Sequence, residues 1–324
     1  MPPKYPCCPA EGKTVEEIPD LPEGIYDEIR DLTDPLDNGN RIILARGLVA
    51  GLPDPLVVKR MPLTGPCGFQ NLNEAFALLE MGKEQLSAVL PAAAVYKDDN
   101  HLYILMEMCT GGDLFNQLDN DADEKVLQMW ATQLLQALQV LHHSGRMHGD
   151  ICLENCVVAG ESKTLRLIDC AQLIKVHAPG DVLHEAPLPL RIRTGRALFS
   201  PPETLRPPGA PDDAVSSAFK RDMYQAGCTL FALAAQEYPF SQPLALSTAR
   251  RAELPAGGCA ASARKLLKRR PDASPELQDL LARLLAPSPD ARPTASEALA
   301  HPWIAGPLAR AQVPGPAAVA AEGG

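Results

Sequence analysis

From residue 41 onward the apolar positions bunch into short runs whose period changes several times. The runs Arg41 to Val49 and Leu56 to Arg60, separated by the turn-rich stretch Gly51 to Pro55, predict two strands. Leu72, Phe76 and Leu79 then share one helical face, so 71–82 reads as helix. A polar turn at 98–100, an apolar run from His101 to Met108 and the pair Gly111-Gly112 predict a buried strand leading into a flexible joint. Over 124–143, Val126, Trp130, Leu134, Leu138 and Leu141 recur at helical spacing, the mark of a long amphipathic helix. Residues 156–158 and 165–168 flank a Gly/Ser turn and predict a hairpin. Residues 220–233 are apolar on nearly all sides, which predicts a buried helix. Ser274-Pro275-Glu276 opens a further helix whose apolar face runs over 277–285. Thr294 and Glu297 form a capping box.

The remaining stretches carry less pattern. Residues 1–36 are rich in Pro, Glu and Asp, and only Ile18, Leu21, Ile25, Tyr26, Ile29 and Leu32 offer anchors. The last four fall at roughly helical spacing, so a short helix packed on the following lobe is expected there, and tail elsewhere. The segment 170–203 is too irregular for a regular element. The Ala/Pro/Gly-rich residues 307–324 are expected to be disordered.

Composition narrows the function classes. The chain has 324 residues, 46% of them hydrophobic, enough for one large domain or two lobes with a core. No run approaches eighteen consecutive apolar residues, so no membrane span is expected. The first residues lack a signal peptide's apolar stretch, and a cytoplasmic or nuclear address is the expectation. Nine cysteines without zinc-ligand spacing suit free thiols in a reducing compartment. A net charge of -10 argues against nucleic acid as a partner and is compatible with a basic peptide substrate.

The chemistry concentrates between Met147 and Ala171. Asp150, Asn155 and Asp169 lie on a loop and a hairpin that would bring the last two to one edge. Hard oxygen ligands of this kind suit Mg²⁺, with Asp150 close by to orient a hydroxyl.

These residues carry a resemblance to a known family. His148-Gly149-Asp150-Ile151-Cys152-Leu153-Glu154-Asn155, followed by Asp169-Cys170-Ala171, resembles the catalytic loop and magnesium motif of the protein kinases, H-R-D-L-x-x-x-N and D-F-G. Leu56-Val57-Val58-Lys59 is similar to the V-A-I-K strand, and Gly195 to Glu203 resembles the close of an activation segment at A-P-E. The resemblance covers about residues 40 to 305. It implies an α+β, bilobal kinase-like fold: an N-terminal extension over 1–36, an N-lobe and hinge over 37–109, a C-lobe over 110–306 and a tail over 307–324.

The resemblance also implies roles. Lys59 would reach the α- and β-phosphates of ATP, steadied by a helix glutamate, for which Glu74 fits better than Glu80. Met106 would be the gatekeeper, with the backbone of Glu107 and Cys109 facing adenine and Asp113 near the ribose. Asp150 would be the base or positioner for a substrate hydroxyl, and Asn155 and Asp169 would hold Mg²⁺. Asp222 would tie down the catalytic-loop backbone, and Glu203 would pair with Arg292. ATP and Mg²⁺ are the implied cofactors and a protein the implied substrate. Glu154 and Asp113 match acidic positions that in basophilic kinases face a substrate arginine.

The sequence also departs from the family. Where kinases write G-x-G-x-x-G over the phosphates, this chain has Pro35, Asp37 and Asn40, with Gly39 out of register. Gly149 replaces the arginine that reads a phosphorylated activation loop, so phosphorylation at Thr194 would lose its usual reader. Cys152 replaces a lysine beside the transferred phosphoryl group, a loss expected to slow transfer about tenfold or more. Arg196 stands where a threonine usually contacts the catalytic aspartate, and would either replace that cation or neutralise Asp150. Ala171 replaces the D-F-G glycine. Two functions therefore follow from the resemblance: a serine/threonine kinase-like phosphotransferase, or a pseudokinase that serves as a scaffold or regulator for a protein partner.

Overall fold

The computed structural model describes residues 10, 12–33, 39–117, 123–159, 163–176, 187–189, 195–204, 215–239 and 263–306. Pro35, Asp37, Thr194 and the tail over 307–324 lie outside them.

Five antiparallel strands make the N-lobe sheet: β1 (Tyr26–Asp31), β2 (Arg41–Gly47), β3 (Leu56–Pro62), β4 (Ala92–Lys97) and β5 (His101–Glu107), in the order β1-β2-β3-β5-β4. Strand alternation sorts their side chains between two faces. Leu56, Val58, Tyr103 and Leu105 join Ile43 and Ala45 on one face. Met61, Leu102 and Ile104 point the other way, onto helix α1 (Gly68–Lys83). Lys59 is in register with Ile104 and so belongs to the face that α1 covers. Period two thus decides that the lysine and the helix meet.

The helix expected over Ile25 to Leu32 is strand β1 instead. It pairs with β2 from Tyr26↔Gly47 to Asp31↔Ile43, with a bulge between Glu28 and Arg30. Its one half-buried residue is Tyr26, so as an edge strand it shows no alternation of apolar and polar positions. The expected boundary between residues 36 and 37 lies outside the described residues. Residues 12–21 are not tail either: they run as a strap across α1 to β4. Ile18 is buried, Lys13 Nζ meets Glu80 Oε1 at 2.6 Å, and Leu21 and Pro19 exchange backbone hydrogen bonds with Lys97. On the strap side Lys13 lies 4.7 Å over the Phe76 ring, while on the sheet side Asn71 donates to the Pro62 carbonyl and Glu74 meets Lys59, so α1 buries more than the expected face. Two surfaces cover the helix rather than one.

The C-lobe is built on α2 (Glu124–His143) and α3 (Ala218–Ala235). Leu127, Trp130, Leu134, Leu138 and Leu141 carry the buried face of α2, with Leu127 replacing the expected Val126, which is exposed. Every residue of α3 except Lys220 is buried. Short strand β6 (Arg146–Met147) precedes the catalytic loop, which leads into the hairpin of β7 (Cys156–Ala159) and β8 (Thr164–Leu167). Strand β9 (Ile174–Lys175) pairs back with β6. Further helices complete the lobe: α4 (263–269), α5 (Pro275–Leu284), α6 (Ala295–Leu299) and α7 (Pro302–Ala305). Ser274 Oγ accepts from Leu277 N–H, and Thr294 with Glu297 closes the capping box as read from the sequence. No helix among the described residues is long and apolar enough to cross a membrane.

Candidate active site between the lobes

Lys59 reaches from β3 across to α1. Its Nζ donates to Glu74 Oε1 and Oε2 at 2.9 and 2.7 Å and lies 3.5 Å from Asp169 Oδ1. Burial works against the Lys59 charge, but Glu74 and then Asp169 hold its proton well above the ordinary lysine range. Burial would likewise raise Asp169, yet Lys59, His148 and the Ala171 N–H hold its carboxyl below the ordinary range. The site therefore presents a fixed cation beside an ionised carboxylate. Glu80, the other candidate for the lysine's partner, instead meets Lys13, Arg146 and Lys175.

The start of the segment after β8 is locked to α1 by a residue the sequence reading passed over. Asn73 Nδ2 donates to the carbonyls of Ala171 and Leu173 at 3.1 and 3.0 Å. Asp169 itself has φ +64 and ψ 73, and its side chain accepts from Ala171 N–H. The D-C-A motif thus holds its aspartate toward Lys59 although alanine stands where the family has glycine.

The catalytic loop is fastened from below by α3. Asp222 accepts from the backbone N–H groups of His148 and Gly149, each at 2.9 Å, and meets His142 Nε2 at 2.9 Å. Gln225 adds two more ties, accepting from Ile151 N–H at 3.0 Å and donating to the Gly149 carbonyl at 3.1 Å. The signal for Gln225 was an amide in a helix read as buried on nearly all sides, since a buried amide must find partners. His148 Nδ1 accepts from Asp150 N–H while Nε2 donates to the Ile168 carbonyl, an arrangement that requires the Nε2–H tautomer.

Gly149 is more than a missing arginine. Its φ is +86, a conformation that costs an L-residue of ordinary kind roughly 1–2 kcal/mol. Gly149→Ala is expected to lower unfolding stability by about that amount, read from the urea midpoint at unchanged m. A neutral result would mean that the loop takes another conformation.

Asp150 stands above this platform. Asn155 Nδ2 donates to its carbonyl at 2.9 Å and to its Oδ2 at 3.2 Å, while Oδ1 is buried without a hydrogen-bond partner among the described residues. Burial raises the Asp150 carboxyl above the ordinary range, and nearby Asp169 adds to the rise. A base shifted toward neutrality accepts a hydroxyl proton more readily. Ile168 N–H donates to the Asn155 carbonyl, so the β7–β8 hairpin does return Asp169 to the edge that Asn155 occupies.

The donors fit a hard divalent cation. Asn155 spends its amide N–H groups on Asp150, and neither its oxygen nor Asp169 Oδ2 makes a hydrogen bond among the described residues. No group of three or more His, Cys, Asp or Glu among those residues could hold a metal by itself. An amide oxygen and a carboxylate that leave the other ligand positions to phosphate and water are the usual terms for Mg²⁺.

On the hinge side, Met106 is in register between Val57 on β3 and Ala92 on β4, packed against the core. Glu107 ends β5, and the Cys109 carbonyl accepts from Gly112 N–H at 3.2 Å. Asp113 bridges to Val157 on β7, with Oδ1 capping the next turn through Asn116. Glu154 is paired with Arg196. The two acids expected to receive a substrate arginine are thus both engaged within the chain. Arg196 meets Glu154 rather than Asp150, which leaves the base uncapped.

The activation-segment close is anchored as expected. Arg292 Nη1 and Nη2 donate to Glu203 Oε1 and Oε2 at 2.7 and 2.6 Å, with the Arg292 side chain fully buried.

A two-lobed fold with this lysine–glutamate pair, aspartate loop and Asn155–Asp169 edge defines the class of phosphoryl-transfer domains. A family model described as the protein kinase domain matches residues 70–304, and the chain belongs to that family. The match begins after β3, so Lys59 rests on the sheet register. Among curated relatives, the serine/threonine-protein kinase cds1 of Schizosaccharomyces pombe is 30% identical over 223 residues, 67% of this chain and 44% of that protein. The calcium and calcium/calmodulin-dependent serine/threonine-protein kinase of Lilium longiflorum is 28% identical over 224 residues, 68% of this chain and 39% of that one. Sperm motility kinase 1 of Mus musculus is 28% identical over 220 residues, 67% and 40% respectively. The chain thus spans less than half the length of these relatives.

Proposed function

We propose that this chain is a serine/threonine protein kinase that moves the γ-phosphoryl group of Mg-ATP to a protein hydroxyl. The observation that carries the reading is the joint geometry of Lys59, Glu74 and Asp169, together with a buried Asp150 oxygen that has no hydrogen-bond partner among the described residues. A chain used only for binding has no physical need of all four together. Lys59 would anchor the α- and β-phosphates as a point charge, and Asn155 and Asp169 would hold Mg²⁺. When bound, the ion neutralises phosphate charge and orients the γ-phosphoryl group. Asp150 accepts the hydroxyl proton as the oxygen attacks. Helix α1 keeps Lys59 in place through Glu74 and, through Asn73, keeps Asp169 beside it.

A thermal-shift titration with Mg-ATP tests the binding half. The wild type is expected to gain stability with nucleotide by mass action. Lys59→Met is expected to lose most of that gain, because it removes the phosphate anchor. A shift that survives Lys59→Met intact would mean that nucleotide binds elsewhere. No shift at millimolar Mg-ATP would favour the scaffold role instead.

A further inference from the structure

We propose that Arg196 supplies the cation that Cys152 cannot, making it a catalytic residue of the phosphoryl-transfer step; this rests on the kinase reading above. The Cys152 side chain is fully buried, and burial followed by the Asp150 charge pushes its thiol far above the ordinary range, so it stays neutral. The catalytic loop therefore carries no positive charge of its own two residues after the base. Arg196 comes from the activation segment; one contact ties its side chain to that same loop, and two more hold the backbone on either side of it.

The first is the Glu154 carboxylate, which accepts from Arg196 Nη1. Its second oxygen is buried without a hydrogen-bond partner among the described residues, so the carboxylate's hold on the guanidinium is not shared. The second is the backbone just before Arg196. Gly195 N–H donates to Gln172 Oε1 at 2.6 Å, and Gly195 has φ +76. A Cβ added there would lie 3.0 Å from the Gly149 carbonyl oxygen and 2.2 Å from Gln225 Nε2, so only glycine lets the segment approach this closely. The third is the turn that follows, in which Phe199 N–H donates to the Arg196 carbonyl and Phe199 is buried. Arg196 is thus fixed before, after and at its head.

Nearly half of the Arg196 side chain remains exposed, at 45%. Only one of its donors is committed to Glu154, and guanidinium carries five N–H groups in a planar fork suited to phosphate. Burial works against its charge, but acidic neighbours including Glu154 and Asp150 hold it cationic. Glu154 therefore acts here as a positioning residue for Arg196.

In the step itself the substrate hydroxyl oxygen forms a bond to the γ-phosphorus and its proton passes to Asp150. The bond from that phosphorus to the β–γ bridging oxygen breaks, and ADP leaves with the electron pair. Arg196 donates to the equatorial oxygens of the transferring group, where charge is spread in the transition state.

The test uses the full chain, γ-labelled ATP and a serine/threonine peptide mixture. Arg196→Ala is expected to lower kcat roughly 10- to 100-fold with the ATP KM within about twofold, since the contact forms mainly in the transition state. Arg196→Lys is expected to recover most of the rate. Guanidinium chloride at a few tens of millimolar should raise the rate of Arg196→Ala but not that of Asp150→Asn. Glu154→Gln should show a smaller loss of kcat than Arg196→Ala. Wild-type kcat in Arg196→Ala overturns the proposal. So does a loss that neither lysine nor guanidinium repairs, which would mark a structural role for the arginine. A wild type that transfers nothing while binding Mg-ATP overturns the kinase reading and this inference with it.

Discussion

Asp150→Asn is expected to lower kcat for peptide phosphorylation by roughly 10²–10⁴, the usual range for removing a general acid or base. The asparagine keeps the shape of the side chain and can still meet Asn155, so the loop ties to Asp222 and Gln225 should survive. Mg-ATP binding, measured by the same nucleotide-dependent thermal shift, should fall little. What is removed is an acceptor for the hydroxyl proton, on a group whose Oδ1 has no other partner among the described residues. Loss of nucleotide binding in this variant would place Asp150 among the metal or phosphate contacts instead. An unchanged kcat would remove it from the chemistry altogether.

Arg292→Ala is expected to cost about 3–5 kcal/mol of folding stability, because it leaves the partner carboxylate of a largely buried pair without its counter-charge. Glu203 keeps only 11% of its side chain exposed. The loss extends beyond the pair: the guanidinium also donates to the carbonyls of Ala286, Pro287 and Lys220, three acceptors from two separate stretches of chain. It also lies 4.8 Å over the Tyr224 ring. Urea unfolding measures the loss, and the double variant Glu203→Gln/Arg292→Ala should recover part of it by removing the stranded charge. A loss under about 1 kcal/mol would be the value of an exposed ion pair, and would contradict the buried arrangement.

The parts of this site that could be read from sequence are those set by local rules. The Lys59–Glu74 pair was legible only through the family resemblance, and the strand register then places Lys59 on the face that α1 covers. A polar turn between two apolar runs gave the hairpin that returns Asp169 to Asn155. Caps at Ser274 and Thr294 were visible because capping is local chemistry.

What stayed hidden depends on contacts distant in the chain. Strand β1 shows a helix-like spacing because an exposed edge strand has no buried face to impose alternation. The strap over α1 is fixed by Ile18 and Lys13, single residues in a stretch too short in apolar positions to show a period. Gln225 and Asn73 are ordinary amides until the loop they hold is in place. The positive φ of Gly149 gives a backbone reason for glycine there, where side-chain reasoning saw only a lost arginine. The partner of Arg196 was undecidable from spacing, since Asp150 and Glu154 are four residues apart on one loop.

The most direct measurement is transfer of label from γ-labelled ATP to a serine/threonine peptide library by the wild-type chain, with Asp150→Asn and Asp169→Asn run beside it. The geometry of Lys59, Glu74, Asp150 and Asp169 predicts metal-dependent label on peptide hydroxyls with the wild type and at most a trace with either variant. Equal labelling by all three proteins, or none with a wild type that binds no Mg-ATP, would contradict the assignment of these residues as a phosphoryl-transfer site.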